Sequence, residues 1–214
     1  MDTLNNDTTN YIFKFLDIKS VIQFMSTTQN RHLAKNTVSY HQFVNIFAIQ
    51  KLWYMDSFRY VVLCTYIYNK NSGQNPILPL KFPANLKSMR INGIINGNTL
   101  SCVPKSINSL IISCAFFWSP KNMPVNITHL TLLHTYSIYY IPSNITHLTL
   151  LENTQTCIFR KQIINFINVT HLTLGKYFNE KIEFESLSKL MYLKLPSTYP
   201  HKIIVSGNCI VKKY

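Results

Sequence analysis

Alternating apolar and polar positions recur in six segments of the chain from Pro83 onward. With small departures, the segments share the skeleton P-x-x-[IL]-x-x-L-x-L, and their first apolar positions are Leu86, Ile107, Ile127, Ile145, Val169 and Leu190. The steps between these positions are 21, 20, 18, 24 and 21 residues, within the range of solenoid repeats. Since side chains alternate along a strand, both leucines of each L-x-L point inward and the residue between them points outward. The pattern predicts one strand per repeat, stacked about 4.8 Å apart in a parallel sheet.

Two further segments predict the ends of this stack. FRYVVL from Phe58 predicts an entry coil, and YPHKIIV from Tyr199 predicts a shortened exit coil. The proline that precedes most of the strands favours a turn or extended backbone and suits a position that donates no sheet hydrogen bond. The stretch NKNSGQNP from Asn69 is rich in turn-forming residues and marks a break ahead of the repeats.

The N-terminal segment has the spacing of helices instead. Residues 7–9 provide caps for a first helix, and Asp17 begins a second, so two or three short helices are predicted. Their apolar positions are Leu4, Ile12, Phe13, Leu16, Val21, Ile22 and Met25. A short helical pair cannot bury such side chains alone, so they either dock on a partner or pack on the first solenoid coil as a cap.

The composition is that of a folded, basic protein. Of 214 residues, 47% are hydrophobic and 14% are charged, and Lys plus Arg exceed Asp plus Glu by 21 to 8, for a formal net charge of +13. Most of the excess lies after Leu80, which favours an acidic partner or a polyanion for the C-terminal part. The lysines are scattered singly and do not form the stripe, interleaved with aromatics, of nucleic-acid grooves. We therefore expect an acidic protein partner rather than a nucleic acid.

The cysteines and the N-terminus both indicate a reducing compartment. The 5 cysteines share no spacing typical of a disulfide framework or a zinc site. The opening MDTLNNDTTN is polar and acidic, unlike a secretory leader, and the most apolar stretches are interrupted by charges, prolines and asparagines. We expect a cytoplasmic protein without a membrane span.

The sequence offers little for catalysis. With 5 glycines and 8 acidic residues, it contains no Gly-rich phosphate loop and no convincing carboxylate pair, and no cysteine shares a motif with a histidine. The N-x-T triplets begin at Asn6, Asn126, Asn144 and Asn168. A repeated asparagine beside a turn, with its side chain bonded to backbone, is favoured there over a glycosylation site. We expect no enzyme, no cofactor and no metal.

The outward positions of the repeats form the candidate binding surface. Solenoids commonly present such positions as one concave face that holds a partner. Arg90 and Lys194 flank this face and favour an acidic or phosphorylated target, whereas a threonine column also suits a parallel strand through β-propensity alone. The predicted target-binding residues are Arg90, His129, Thr131, His147, Thr149, His171, Thr173, Tyr192 and Lys194.

A histidine occupies the same place three times, in NITHLTL from Asn126 and Asn144 and in NVTHLTL from Asn168. Zinc needs nitrogen ligands at about 2.0–2.1 Å, which imidazoles stacked about 4.8 Å apart reach only by bending toward one another. We interpret the three histidines as a ladder on the solenoid whose charge responds to pH, not as a metal site.

One repeat carries residues that indicate a family. In LGKYFNEKIEFESLSKLMYLKL from Leu174, Phe178, Asn179 and Ile182 follow a strand and a new L-x-x-L-x-L comes after them. This stretch, together with IPSNITHLTL from Ile141, resembles the FNIP repeat, a relative of the leucine-rich repeat found in social amoebae and in giant viruses of amoebae. The resemblance covers roughly residues 82–195.

The N-terminal stretch LNNDTTNYIFKFLDIKSVIQF from Leu4 is similar to the F-box. An F-box ahead of FNIP repeats is a combination known in amoebal and giant-virus proteins. The expected fold class is α+β, with an F-box-like helical module at 1–45, a linker and capping segment at 46–80, and a solenoid of about six coils with a stacked parallel sheet at 81–214.

The resemblance also implies a function. It implies a non-catalytic substrate receptor of a cullin-type ubiquitin ligase, in the host cytoplasm if the protein is viral. Its seven N-terminal apolar residues would dock the Skp-family adaptor, and the solenoid would bind a target protein. The alternative is a solenoid binding module with no ligase link that holds an acidic protein or a nucleic acid.

Overall fold

The computed structural model describes residues 11, 16–17, 19–20, 23, 40, 42–52, 55–65, 80–93, 100–113, 123–133, 141–151, 168–179, 181–184 and 187–214. In these residues a short helix, α1 (Ile46–Ile49), and a 3-10 helix (Met55–Ser57) accompany a series of strands. Residues 11, 19–20, 23 and 100–101 are also helical. The strands are β1 (Val44–Asn45), β2 (Tyr60–Cys64), β3 (Ser88–Asn92), β4 (Ser109–Ser113), β5 (His129–Leu133), β6 (His147–Leu151), β7 (His171–Leu174), β8 (Tyr192–Leu195) and β9 (Ile210–Lys213).

The strands form a parallel β-solenoid. Within the described residues, nine strands make one sheet in chain order from β1 to β9, and every neighbouring pair is parallel. Each of the six repeat segments contributes one strand, β3 to β8, and the register is in phase from coil to coil. The prediction of a repeat solenoid is confirmed, and FRYVVL, the predicted entry coil, contains β2.

Buried leucines hold successive coils together. In β5, β6 and β7 both leucines of L-x-L are no more than 2% exposed, and Ile127 and Ile145 at the repeat markers are fully buried. Full burial of one such side chain stabilises the fold by about 1.5–3 kcal/mol. Because each column is shared by adjacent coils, a coil contributes this burial only in the stack.

Proline sets the turn before most strands. At five coils the proline carbonyl accepts a hydrogen bond, at 3.0 to 3.4 Å, from the amide three residues later. The acceptor prolines are Pro83, Pro104, Pro124, Pro142 and Pro196. The turn places the repeat marker under the sheet just before its strand begins.

The N-terminal end of the sheet is covered by aromatic and aliphatic side chains. Tyr40 stacks on Phe58 with ring centroids 4.4 Å apart, and Ile46 and Ile49 of α1 are fully buried. The Asn45 side chain caps α1 by accepting from the amide of Phe47 at 3.0 Å. Two strands, β1 and β2, thus lie upstream of residue 81.

Of the predicted N-terminal apolar set, Leu16 falls within the described residues. It is half-buried against the solenoid core, and its carbonyl accepts from Gln42 Nε2 at 3.2 Å. The remaining members, Leu4, Ile12, Phe13, Val21, Ile22 and Met25, lie outside the described residues.

The predicted exit coil from Tyr199 leads into the last strand. Residues 199–205 form no strand, and the last strand is β9. Tyr199 is instead buried between Phe178 and Phe184, and Ile203 packs on the core from outside the sheet. None of the helices in the described part of the chain is long and apolar enough to cross a membrane.

Candidate binding surface

The side of the sheet that faces away from the leucine core is called the outer face here. Three columns of side chains run along it, because the register pairs equivalent residues of successive strands. One of them, made of Cys64, Asn92, Ser113, Leu133 and Leu151, carries no charge. Of the other two, the first column is Ser109, His129, His147, His171, Tyr192 and Ile210. The second is Arg90, Ile111, Thr131, Thr149, Thr173, Lys194 and Lys212.

All nine predicted target-binding residues lie in these columns and are half-buried or exposed. The predicted register is therefore correct, with the leucines inside and the threonines and histidines outside. Ser88, the residue of β3 that pairs with Ser109, is an exception to the expected exposure. It is 5% exposed, and its hydroxyl donates to Ser109 Oγ at 3.2 Å.

The three histidines form a continuous stack. The ring centroids of His129 and His147 are 4.0 Å apart, and those of His147 and His171 are 4.2 Å apart, with interplanar angles of 13° and 10°. Tyr192 extends the stack, its ring centroid lying 5.8 Å from that of His171. The spacing of the coils thus produces an aromatic column along the outer face.

A threonine before each histidine fixes the ring. Thr170 Oγ1 donates to the carbonyl of Thr146 at 3.2 Å and lies 2.9 Å from His171 Nδ1. With its one proton directed at that carbonyl, the hydroxyl accepts from Nδ1 of the histidine in the second contact. The same pair of contacts holds His147. In the neutral rings Nε2 therefore carries the unshared lone pair.

The histidine stack favours neutral rings. Burial lowers the pKa of His129, and the charge of His171 lowers it further. Burial also lowers the pKa of His147, with smaller effects from the charges of His129 and His171. Nearly parallel rings also give nearly parallel Nε2 lone pairs, which do not converge on one ion. In the described part of the chain no three His, Cys, Asp or Glu side chains are placed to hold a metal.

Basic groups lie toward both ends of the outer face. Arg90 Nε donates to Asn92 Oδ1 at 2.9 Å on β3. At the other end, Lys194 Nζ lies 4.9 Å from the centroid of the Tyr214 ring, and Lys212 Nζ lies 5.7 Å from that of Tyr192. Among the described residues of the two columns there is no carboxylate, so the face has one sign of charge.

The repeated asparagines connect coils. The Asn144 side chain donates to the carbonyl of Ile127 and, at 3.4 Å, to that of Pro124. Asn126 bonds the coil before it in the same way, and Asn168 donates to the carbonyl of Ser143 at 2.7 Å. Bonding of these side chains to backbone is confirmed. The sequence did not predict that these hydrogen bonds join neighbouring coils, because the backbone groups that come together are known only once the coils are stacked.

Sequence reasoning also missed the basic residues of β9. Lys212 extends the column of Lys194, and Lys213 pairs in register with Leu195. The segment CIVKKY lacks an L-x-L, so the repeat pattern gave no signal for it. The adjoining lysines were the only available hint of a charged strand.

Comparisons with protein-family models, with curated proteins and with solved structures found no match for this chain. Its function is therefore inferred from the chemistry of its own residues.

Proposed function

We propose that this chain is a non-catalytic binding protein whose outer face holds an acidic or phosphorylated segment of a target protein. The supporting observation is the charge of the two columns, where Arg90, Lys194 and Lys212 occur without a described carboxylate. Protein surfaces of one sign attract partners of the other sign and fix their register.

The dimensions of the face suit an extended segment. Arg90 on β3 and Lys194 on β8 are five strand spacings apart, about 24 Å at about 4.8 Å each. An extended chain covers that distance in about seven residues. The threonine hydroxyls and histidine rings between the two basic groups supply hydrogen bonds along the path.

Charge reversal tests this proposal. Binding of a fluorescein-labelled library of acidic and phosphoserine peptides is measured by anisotropy, and one bound peptide is taken forward. Arg90→Glu and Lys194→Glu should each weaken it about tenfold, since a charge-assisted contact contributes about 1.5–3 kcal/mol. Lys105→Glu makes the same charge change at an exposed turn off the outer face and should bind as the unaltered protein does. If all three variants bind the peptide equally weakly, net charge alone explains the loss of affinity, and the proposal is contradicted.

We further propose that the N-terminal segment is an F-box, the repeats are FNIP repeats, and the protein is a substrate receptor of a cullin-type ubiquitin ligase in the cytoplasm. The support is the resemblance of the N-terminal and repeat sequences. The N-terminal helices dock a Skp-family adaptor, and the solenoid holds the target beside the ligase. Ubiquitin transfer is then accelerated by effective concentration alone.

Co-purification with a recombinant Skp-family adaptor tests the ligase link. Phe13→Asp should abolish retention of the adaptor, because a charge replaces an apolar anchor. Gln23→Asp adds the same charge at an exposed position and should retain it. Leu16 is a poor site for this test, since it packs on the core. Failure of the unaltered protein to retain any adaptor, or unfolding of the Phe13 variant by circular dichroism, counts against the receptor.

The second candidate is a binding solenoid without a ligase link. The contacts of Leu16 favour it, because a half-buried side chain on the core and a backbone bond to Gln42 are what an N-terminal cap makes. On this proposal, Phe13→Asp lowers the unfolding midpoint and no adaptor is retained. An oligonucleotide that displaces the bound peptide at physiological salt would make the partner a nucleic acid.

A further inference from the structure

Strand β9 forms an edge of the sheet. It pairs with β8 on one side, and the described residues place no strand on its other side. Two hydrogen bonds hold its C-terminal end in place: Tyr214 Oη donates to the carbonyl of Leu174 at 2.7 Å, and the amide of Ser197 donates to the carbonyl of Tyr214 at 2.8 Å. The edge is therefore anchored in a strand conformation.

Apolar side chains are exposed along β9. Val211 continues the column of Leu193, which is fully buried, yet Val211 is 37% exposed, and Ile210 is 58% exposed. The apolar column that runs through the solenoid thus ends at a side chain covered on one flank only. One more paired strand would cover that flank.

The backbone of β9 has unused hydrogen-bonding groups. The amides of Ile210 and Tyr214 donate to carbonyls of Met191 and Leu195 in the preceding coil. Since alternate residues of a strand bond to opposite sides, the amide and carbonyl of Val211 and of Lys213 point toward the open side. Two donors and two acceptors are available there to an added strand.

The charge at this edge is positive. Lys212 lies on the outer face beside Lys194, and Lys213 lies on the core side, in register with Leu195. In the described part of the structure Lys212 and Lys213 form no ion pair; Lys212 has only the contact with the Tyr192 ring. Lysines at an open edge discourage pairing with a strand of the same charge.

We propose that β9 accepts an extended acidic segment of another protein, which adds to the sheet as a further strand. The segment has two successive apolar residues, which cover Ile210 and Val211, next to two successive acidic residues, which pair with Lys212 and Lys213. Backbone hydrogen bonds provide affinity and the alternating side chains provide selectivity. A second copy of this chain is a poor occupant, since its own β9 brings two lysines to the same edge.

This site shares Lys212 with the proposed one on the outer face but does not include Arg90. Arg90 is six strand spacings from β9, about 29 Å, so a four-residue segment at the edge does not reach it. Arg90→Glu should therefore leave edge binding intact. Failure at either site is then distinguishable from failure at the other.

The test uses the full chain and a labelled eight-residue peptide with the central sequence Val-Val-Glu-Glu, measured by anisotropy. Val211→Pro removes the outward amide without touching the bonds to β8, and proline is tolerated at such edge positions. We expect about three- to tenfold weaker binding, the value of one hydrogen bond of about 0.5–1.5 kcal/mol. Lys213→Glu should weaken binding about tenfold or more, and the Val-Val-Lys-Lys peptide should not bind.

Two further measurements locate the peptide. Hydrogen exchange at the Val211 and Lys213 amides should slow at least tenfold when the peptide is bound. Lys212→Pro is the matched control for the proline change: it removes an amide that bonds to β8, so it should lower the unfolding midpoint while Val211→Pro leaves it unchanged.

Several results would overturn the proposal. They are no binding of the Val-Val-Glu-Glu peptide, unchanged binding by Val211→Pro or Lys213→Glu, and slowed exchange elsewhere than at β9. Dimerisation of the peptide-free chain that Val211→Pro abolishes would assign the edge to a second copy instead.

Discussion

Replacing Asn144 with alanine removes the side chain that joins its coil to the preceding one. The side chain donates to the carbonyls of Ile127 and Pro124. Pro124 keeps another partner, since its carbonyl also accepts from the Ile127 amide at 3.1 Å. The Ile127 carbonyl has no other partner among the described residues and belongs to a fully buried residue. The substitution therefore leaves one buried acceptor unsatisfied.

That loss sets the expected magnitude. An unsatisfied buried carbonyl costs about 1–3 kcal/mol, and the 3.4 Å contact adds little. Asn144→Asp should cost more than Asn144→Ala at neutral pH, because a carboxylate then faces two carbonyl oxygens in a partly buried place. Lowering the pH enough to protonate the aspartate should narrow the difference, since a carboxylic acid can donate one bond.

Urea unfolding followed by far-ultraviolet circular dichroism measures these free energies. The chain contains its own control in Ser106, which occupies the equivalent position one coil before that of Asn126 and is exposed. Ser106→Ala should change the unfolding free energy by less than about 0.5 kcal/mol. An Asn144→Ala variant as stable as Ser106→Ala, or an Asn144→Asp variant more stable than Asn144→Ala, would contradict this role of the Asn144 side chain.

Three further predictions concern pH, packing and a turn. The pKa values of His129 and His147 in the folded protein lie below the ordinary 6.5, so the neutral rings stabilise the fold fully above pH 6.5, and this stabilisation is lost as the pH falls. His147→Asn should therefore reduce the dependence of the urea unfolding midpoint on pH. An unchanged dependence would contradict this. In urea unfolding, Leu148→Ala should lower the free energy of unfolding by about 2–5 kcal/mol. Thr149→Ala, at the neighbouring outward position, should lower it by at most about 1 kcal/mol. Equal effects of the two substitutions would contradict the assigned register. Gly207 has φ of +64° with open space around its Cβ position, so Gly207→Ala should lower the unfolding free energy by about 1 kcal/mol through the backbone alone, and Gly207→Asn by less.

The strands could be predicted because side chains alternate along a strand, so the two leucines of each L-x-L must lie on the same side of the sheet and can only be the buried ones. Leu130 and Leu148 are identical in context, so one register aligns both, and Thr131 and Thr149 then point outward. The prediction succeeded wherever the leucines recur. It did not extend to β9, where Val211 and Lys213 take the inward positions without an L-x-L.

Contacts between coils were less accessible from sequence. Asn144 and Thr146 belong to a motif that is easily recognised in the sequence. Their side chains, however, donate to carbonyls of the preceding coil, 17 and 18 residues earlier in the chain. Spacing in one dimension does not specify which backbone groups meet after stacking. The adaptor-binding set around Phe13 lies outside the described residues, apart from Leu16, and stays a prediction.

The identical motifs at Asn126 and Asn144 have a consequence for the gene. They are 18 residues apart, so excision of residues 127–144 joins Asn126 to Ile145 and restores the sequence N-I-T-H-L-T-L at the junction. The successor supplies the leucines and the histidine of the lost coil, while Asn126 itself remains as the asparagine donor. Strand β6 then meets β4 with the side chains that β5 presented. An in-frame deletion or duplication of these 18 codons can therefore shorten or lengthen the protein by a whole coil. The length of the outer face becomes a trait that changes in one genetic event, without a misfolded intermediate sequence.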